Sequence, residues 1–103
     1  MIRATFVRQG ERIASVTISG HALPPEREDT YDLVCASVSS AVFMAANTLT
    51  AFVGDCTIAE EENCIRIQVD SNSVAAQSIL QGLWLHLDQI AEQYPRFVRT
   101  QQR

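Results

Sequence analysis

Two residues, Cys35 and His21, have the types and placement for covalent chemistry. Cys35 lies in Asp32-Leu33-Val34-Cys35-Ala36-Ser37-Val38-Ser39, which reads as the opening of a helix, fourteen residues after His21 in Gly20-His21-Ala22, the end of a strand. The first turn of a helix has N–H groups without carbonyl partners and about half a positive charge from the aligned peptide dipoles. Both favour a thiolate over a thiol. With Asp32 as the cap, Cys35 falls in that turn; with Thr30 as the cap it lies one turn deeper, where the dipole has faded. A strand end and a helix start share one edge of a two-layer domain, so the loop between them can bring imidazole and sulfur within hydrogen-bonding reach. Taken singly, each residue has a plainer reading: a small thiol packed in a helix, and a loop histidine that satisfies a backbone group.

Other uses of the same atoms fit less well. His21, Cys35, Cys56 and Cys64 make a chemically acceptable zinc set, but none lies within two to five residues of another, and no metal is expected. Cys56 shares a face with Ile58 and reads as core, whereas Cys64 lies opposite the register of Ile65, Ile67 and Val69. Ser37, Ser39 and Ser40 lack a GxSxG elbow, and a hydroxyl inside a helix turns to a backbone carbonyl. Ser39 follows Cys35 by one turn on the same face and could orient the site. His86 belongs at the margin of a buried stripe, Trp84 in a core or interface, and Glu60, Glu61 and Glu62 in a solvated turn.

The elements that must position Cys35 and His21 are legible in the periodicity. Residues 2–8 and 12–19 alternate around Gln9-Gly10-Glu11 and read as a hairpin, with Ile2, Ala4 and Phe6 on one face and Ala14, Val16 and Ile18 on another. From Gly20 to Tyr31 the pattern stops, Pro24-Pro25 excludes regular structure, and Glu26, Glu28 and Asp29 make the loop acidic. Val34, Val38, Ala41, Val42, Ala45, Leu49 and Phe52 then recur at steps of three and four as the buried stripe of a helix that Gly54 stops. A second hairpin runs through 56–59, a turn at Glu60-Glu61-Glu62-Asn63, and 64–69. Ser71 or Ser73 caps a second helix with Val74, Ile79, Leu80, Leu83, Leu87, Ile90 and Tyr94 as its stripe, and Pro95 ends it. Residues 96–100 add a short edge strand. The order ββαββα(β) predicts an α+β fold of two layers: an antiparallel sheet with two helices packed on one face.

Length and composition set the outer bounds. At 103 residues the chain reads as one domain over 1–103, and 47% hydrophobic against 19% charged residues leave apolar surface that a homodimer could cover. A net charge of −4 argues against direct nucleic-acid binding and makes a basic peptide the more natural partner. The alternating N-terminus lacks the features of a secretory signal, and the apolar stretch at 42–46 is broken by Asn47 and Thr48, so no membrane span is expected. Three cysteines without CxxC spacing fit a reducing cytoplasm.

Gly20-His21-Ala22 followed by Asp32-Leu33-Val34-Cys35-Ala36-Ser37-Val38-Ser39 resembles the ribosomal-processing cysteine proteases called Prp, and element order and length extend the likeness over nearly the whole chain. The resemblance implies a cytoplasmic, homodimeric endopeptidase without a cofactor. Its implied substrate is the N-terminal extension of large-subunit ribosomal protein twenty-seven, with apolar or aromatic residues before the scissile bond. It makes Cys35 the nucleophile and His21 the general base and acid, with Asp32 and Ser39 in supporting roles. The chain departs from the pattern in lacking a glycine shortly before Asp32 and in carrying Ser37 where Ala is usual. Two rivals stand beside this reading: a noncatalytic ribosome-assembly or peptide-binding module in which Cys35 only packs, and a thiol hydrolase of small esters.

Overall fold

Alternation of apolar and polar residues produces the first hairpin, β1 (Ile2–Gln9) and β2 (Arg12–Ser19), closed by Gly10 at a φ of 66°. A computed structural model describes residues 1–20, 29–70 and 72–103, and for 29–32 the backbone alone. The hairpin is followed by helix α1 (Asp29–Thr48), a π-helical turn (Leu49–Val53), strands β3 (Cys56–Glu61) and β4 (Cys64–Val69), helix α2 (Val74–Gln93) and strand β5 (Val98–Gln102). The sheet runs in the order β3-β4-β2-β1-β5, with two helices over it, in the expected α+β arrangement. The three pairings among β3, β4, β2 and β1 are antiparallel. The short C-terminal strand lies at the edge, two residues later than its periodicity suggests, and is parallel to β1, which makes the sheet mixed.

The core is one cluster between the sheet and the helices, built from Ile2, Ala4, Phe6, Val16 and Ile18, the inward side of β4 and the inner stripes of α1 and α2. Trp84 closes it from α2 with its ring edge-on to Phe6, centroids 5.1 Å apart. One register detail departs from simple alternation. Val7 pairs with Ser15 but Arg8 pairs with Ile13, so Ala14 is an extra residue, and the bulge brings Ile13 into the core cluster in place of Ala14. Gln77 of α2 secures the bulge: its Oε1 accepts from the Ile13 N–H at 2.7 Å and its Nε2 donates to the Ile13 carbonyl at 3.0 Å.

Several expectations are corrected at element ends. Phe52 is 85% exposed, because the Gly54 N–H bonds back five residues to the Leu49 carbonyl and the wider turn carries Val53 inward in its place. Glu60 and Glu61 pair with Ile65 and Cys64 as strand residues, leaving Glu62-Asn63 as the turn, with Asn63 at a φ of 64°. Ser73 caps α2 by accepting from the Ala76 N–H; the rival cap, Ser71, lies outside the described residues. Val74 and Tyr94, at the two ends of that helix, are exposed. The run Leu33–Val53 is, by length and composition, long and apolar enough to cross a membrane, contrary to the sequence reading. Its inner stripe of Val34, Val38, Val42, Ala45 and Leu49 is buried against the sheet and α2, which accounts for part of that composition, whereas Leu33, Phe43, Met44 and Phe52 are exposed.

Truncating Gln77 to Ala removes both bonds to the bulge and leaves part-buried backbone groups to be solvated. A loss of about 1–3 kcal/mol is expected in a urea titration. A loss below about 0.5 kcal/mol would mean that water replaces the amide there.

Candidate active site

The strand end that leads to His21 is fixed by Gly20. Its φ is +88°, and a Cβ there would lie 2.1 Å from the Met1 carbonyl oxygen, so only glycine fits against the Met1 backbone. The Gly20 N–H donates to the Asn63 carbonyl at 3.1 Å, which ties the end of β2 to the β3–β4 turn. His21 itself, and with it the distance from imidazole to sulfur, lies outside the described residues.

Helix α1 presents three stripes. The inner one is the core stripe, and one flank carries Cys35, Ser39 and Phe43 at successive steps of four. Cys35 is half-buried and packs against the core cluster. One turn on, Ser39 is also half-buried and lines a cavity of about 220 Å³ between this flank and the second hairpin. Val42 and Phe43 complete its helical wall; Glu60, Glu61, Asn63, Cys64 and Ile65 form the other. Asn63 thus lines the cavity and accepts from the Gly20 N–H, so the residue before His21 is bonded to the turn that walls the cavity beside Ser39.

The remaining candidates separate clearly. Asp32 lies in α1, its side chain outside the described residues. The helix begins at Asp29, so neither Thr30 nor Asp32 is its cap, and Cys35 is its seventh residue, past the first turn. The unpaired N–H groups expected beside Cys35 are therefore at the other side of a full turn, and the N–H groups flanking the sulfur belong to the helical ladder. Ser37 is exposed and donates its hydroxyl to the Leu33 carbonyl at 2.9 Å. With Ser40 and the exposed His86 it borders a groove between α1 and α2 on the opposite flank from Cys35. Among the described residues no three His, Cys, Asp or Glu side chains gather to hold a metal. Phe43, Glu60, Asn63 and Cys64 were not legible as cavity residues, although the four-residue step from Cys35 through Ser39 leads to Phe43.

The ββαββαβ order and a helix-borne cysteine one turn before a cavity place the chain among small α+β proteins that present a thiol at the edge of a two-layer core. Solved structures share the arrangement. A Streptococcus mutans protein, SMU.848, superposes with a TM-score of 0.83 at 29% identity over 99% of this chain and 93% of its own. The essential ribosomal processing protease Prp of Staphylococcus aureus, solved with a substrate peptide, superposes at 0.89 with 27% identity over the whole of both chains. The same protease with a covalently linked product peptide gives 0.84 at 27% identity, again over the whole of both. No curated protein matches the chain. The family model for the cysteine protease Prp matches residues 1–99, and the chain belongs to that family. It is a cysteine-type endopeptidase.

Gly20→Ala is expected to destabilise the fold by about 2–4 kcal/mol, because a left-handed backbone and a clash with main chain act together. Gly10→Ala, at a φ of +66° but with nothing within 4 Å of the added carbon, should cost only about 1 kcal/mol. Equal melting shifts for the two variants would contradict the close approach of Met1.

Proposed function

We propose that this chain, acting as one domain over 1–103 and as a cytoplasmic homodimer, removes the N-terminal extension of large-subunit ribosomal protein twenty-seven. The observation that carries the reading is its whole-length likeness to a ribosomal processing protease caught with a substrate peptide and with a covalently linked product. The half-buried Cys35, on the flank of α1 whose next turn lines an open cavity, supports its assignment as the attacking thiol. Family membership also removes the ground for a noncatalytic binding module.

In this mechanism His21 takes the proton from Cys35, and the sulfur adds to the scissile carbonyl. As the tetrahedral intermediate collapses, the C–N bond breaks, the imidazolium gives its proton to the departing amine, and a thioester remains on Cys35. Water, deprotonated by His21, attacks the thioester and releases the carboxyl product and the thiol. Asp32 and Ser39 support this pair, Ser39 from one turn along the same flank. With Cys35 beyond the first turn of α1, the imidazole carries the activation and the helix dipole adds little.

Mixing the enzyme with the extended ribosomal protein of the same organism and reading the new N-terminus by mass spectrometry tests the assignment. Cys35→Ala and His21→Ala should each lower kcat/KM by at least about 10³-fold. At pH 6, iodoacetamide should label Cys35 ahead of Cys56 and Cys64. Unchanged trimming by Cys35→Ala, or equal labelling of the three thiols, defeats the assignment.

A further inference from the structure

Charge is spread unevenly over this molecule. The chain carries −4 overall, and its eight basic side chains are all arginines. Four of them, Arg3, Arg66, Arg99 and Arg103, are exposed on the sheet face that the helices leave open. Alternation puts the first three there: Ile2, Ala4, Ile65, Ile67 and Val98 turn into the core, so their neighbours turn out. Arg103 extends the ladder past β5, its N–H donating to the Phe6 carbonyl and its carbonyl accepting from the Arg8 N–H. Within the strands, Glu61 is the one carboxylate in the outward register. Between Arg66 and Arg103 lies a depression of about 500 Å³ lined also by Thr5, Ser15 and Thr17, and among the described residues no carboxylate borders it. Arg3 stands directly opposite Arg99 on the neighbouring strand. Like charges so placed oppose folding, and a bound anion offsets that repulsion.

From this segregation of charge we infer that the open sheet face docks the phosphate backbone of helical RNA. The overall charge of −4 speaks against nucleic acid only if it is evenly spread, and here the acidic side chains lie almost wholly off this face. A guanidinium group grips phosphate oxygens two at a time, which suits arginine over lysine. The hydroxyls of Thr5, Ser15 and Thr17 add short-range partners for ribose and phosphate. Other polyanions fit less well. A single strand calls for aromatic platforms on which bases stack, and the outward register of the strands has none. An anionic membrane calls for apolar side chains that enter it, and Val7 is the one large apolar residue in that register. The choice of RNA over DNA rests on the proposed ribosomal substrate; the charge geometry does not. The face lies across the sheet from α1, so RNA held there leaves Cys35 uncovered and keeps the enzyme where its substrate is assembled.

Fluorescence anisotropy with a labelled RNA duplex of about 20 base pairs, titrated with the full chain from about 50 mM salt upward, is the test. Affinity should fall steeply with salt. Arg66→Gln and Arg99→Gln should each weaken binding about tenfold at the lowest salt and flatten the logarithmic salt slope by about one. Arg96→Gln removes the same charge away from this face and should change affinity by less than about twofold. Arg99→Gln should not lower the melting temperature, because Arg3 loses a like-charged neighbour, and that separates lost binding from lost folding. Absence of RNA binding, an equal loss in Arg96→Gln, or tighter binding to vesicles of anionic lipid overturns the proposal. A DNA duplex of the same sequence bound as tightly overturns the choice of RNA. A change of oligomeric state in Arg66→Gln overturns it too, making the face a contact between copies of the chain. Trimming of the isolated extension peptide should be the same for Arg66→Gln and wild type. RNA binding without any trimming defeats the proposed function and leaves this face standing.

Discussion

Burial of one stripe of α1 governs everything the site can do. Val34, Val38, Val42, Ala45 and Leu49 meet the sheet and α2 with almost no exposed surface, and each large one is worth about 1.5–3 kcal/mol of transfer from water. A helix turns by about 100° per residue, so locking this stripe locks the direction of every other side chain on the helix. Cys35 follows Val34, Ser39 follows Val38 and Phe43 follows Val42, which sets that trio along one shoulder, facing the second hairpin. Ser37, Met44 and Thr48 occupy the other shoulder, facing α2. Turning the helix by one residue to exchange the shoulders would cost several of those burials at once, so the address of the thiol is set by the core and not by the loop before it.

The sheet supplies the other half of the address. Gly20 can end β2 only because it lacks a side chain, and its bond to Asn63 fastens that end to the hairpin that walls the cavity. At the far end of the same strand the bulge at Ala14 lets Ile13 enter the core, with Gln77 holding the disturbed backbone to α2. Strand β2 is thereby tied to helix at one end and to hairpin at the other. It has little freedom to slide, since a slip of one residue would turn Val16 and Ile18 out of the core.

Periodicity made most of this legible before any coordinates. Steps of two found both hairpins, steps of three and four found both helices, and the motif around Cys35 led to the family that the whole-chain match shows. What escaped was set by contacts that no local pattern encodes. The wide turn after Leu49 depends on a single bond from Gly54, and it alone decides that Val53 and not Phe52 faces inward. The direction of β5 depends on its return past the open edge of β1, where the Ile2 N–H meets the Phe97 carbonyl and the Arg103 N–H meets the Phe6 carbonyl. Glu60 looked like turn because carboxylates disfavour strands; pairing with Ile65 overrode that preference.

The start of α1 alters the electrostatic argument more than the fold. A sulfur in the first turn would draw on unpaired N–H groups and the positive end of the dipole together. As the seventh residue, Cys35 is surrounded by N–H groups already bonded along the helix, so neither resource reaches it at full strength. A partly buried thiol against apolar neighbours then needs a neighbouring base to become a nucleophile, which concentrates the chemistry of the proposed mechanism in one imidazole. The proposed mechanism thus separates two duties that a helix-end cysteine would combine: packing places the sulfur, and the proposed base, His21, turns it on.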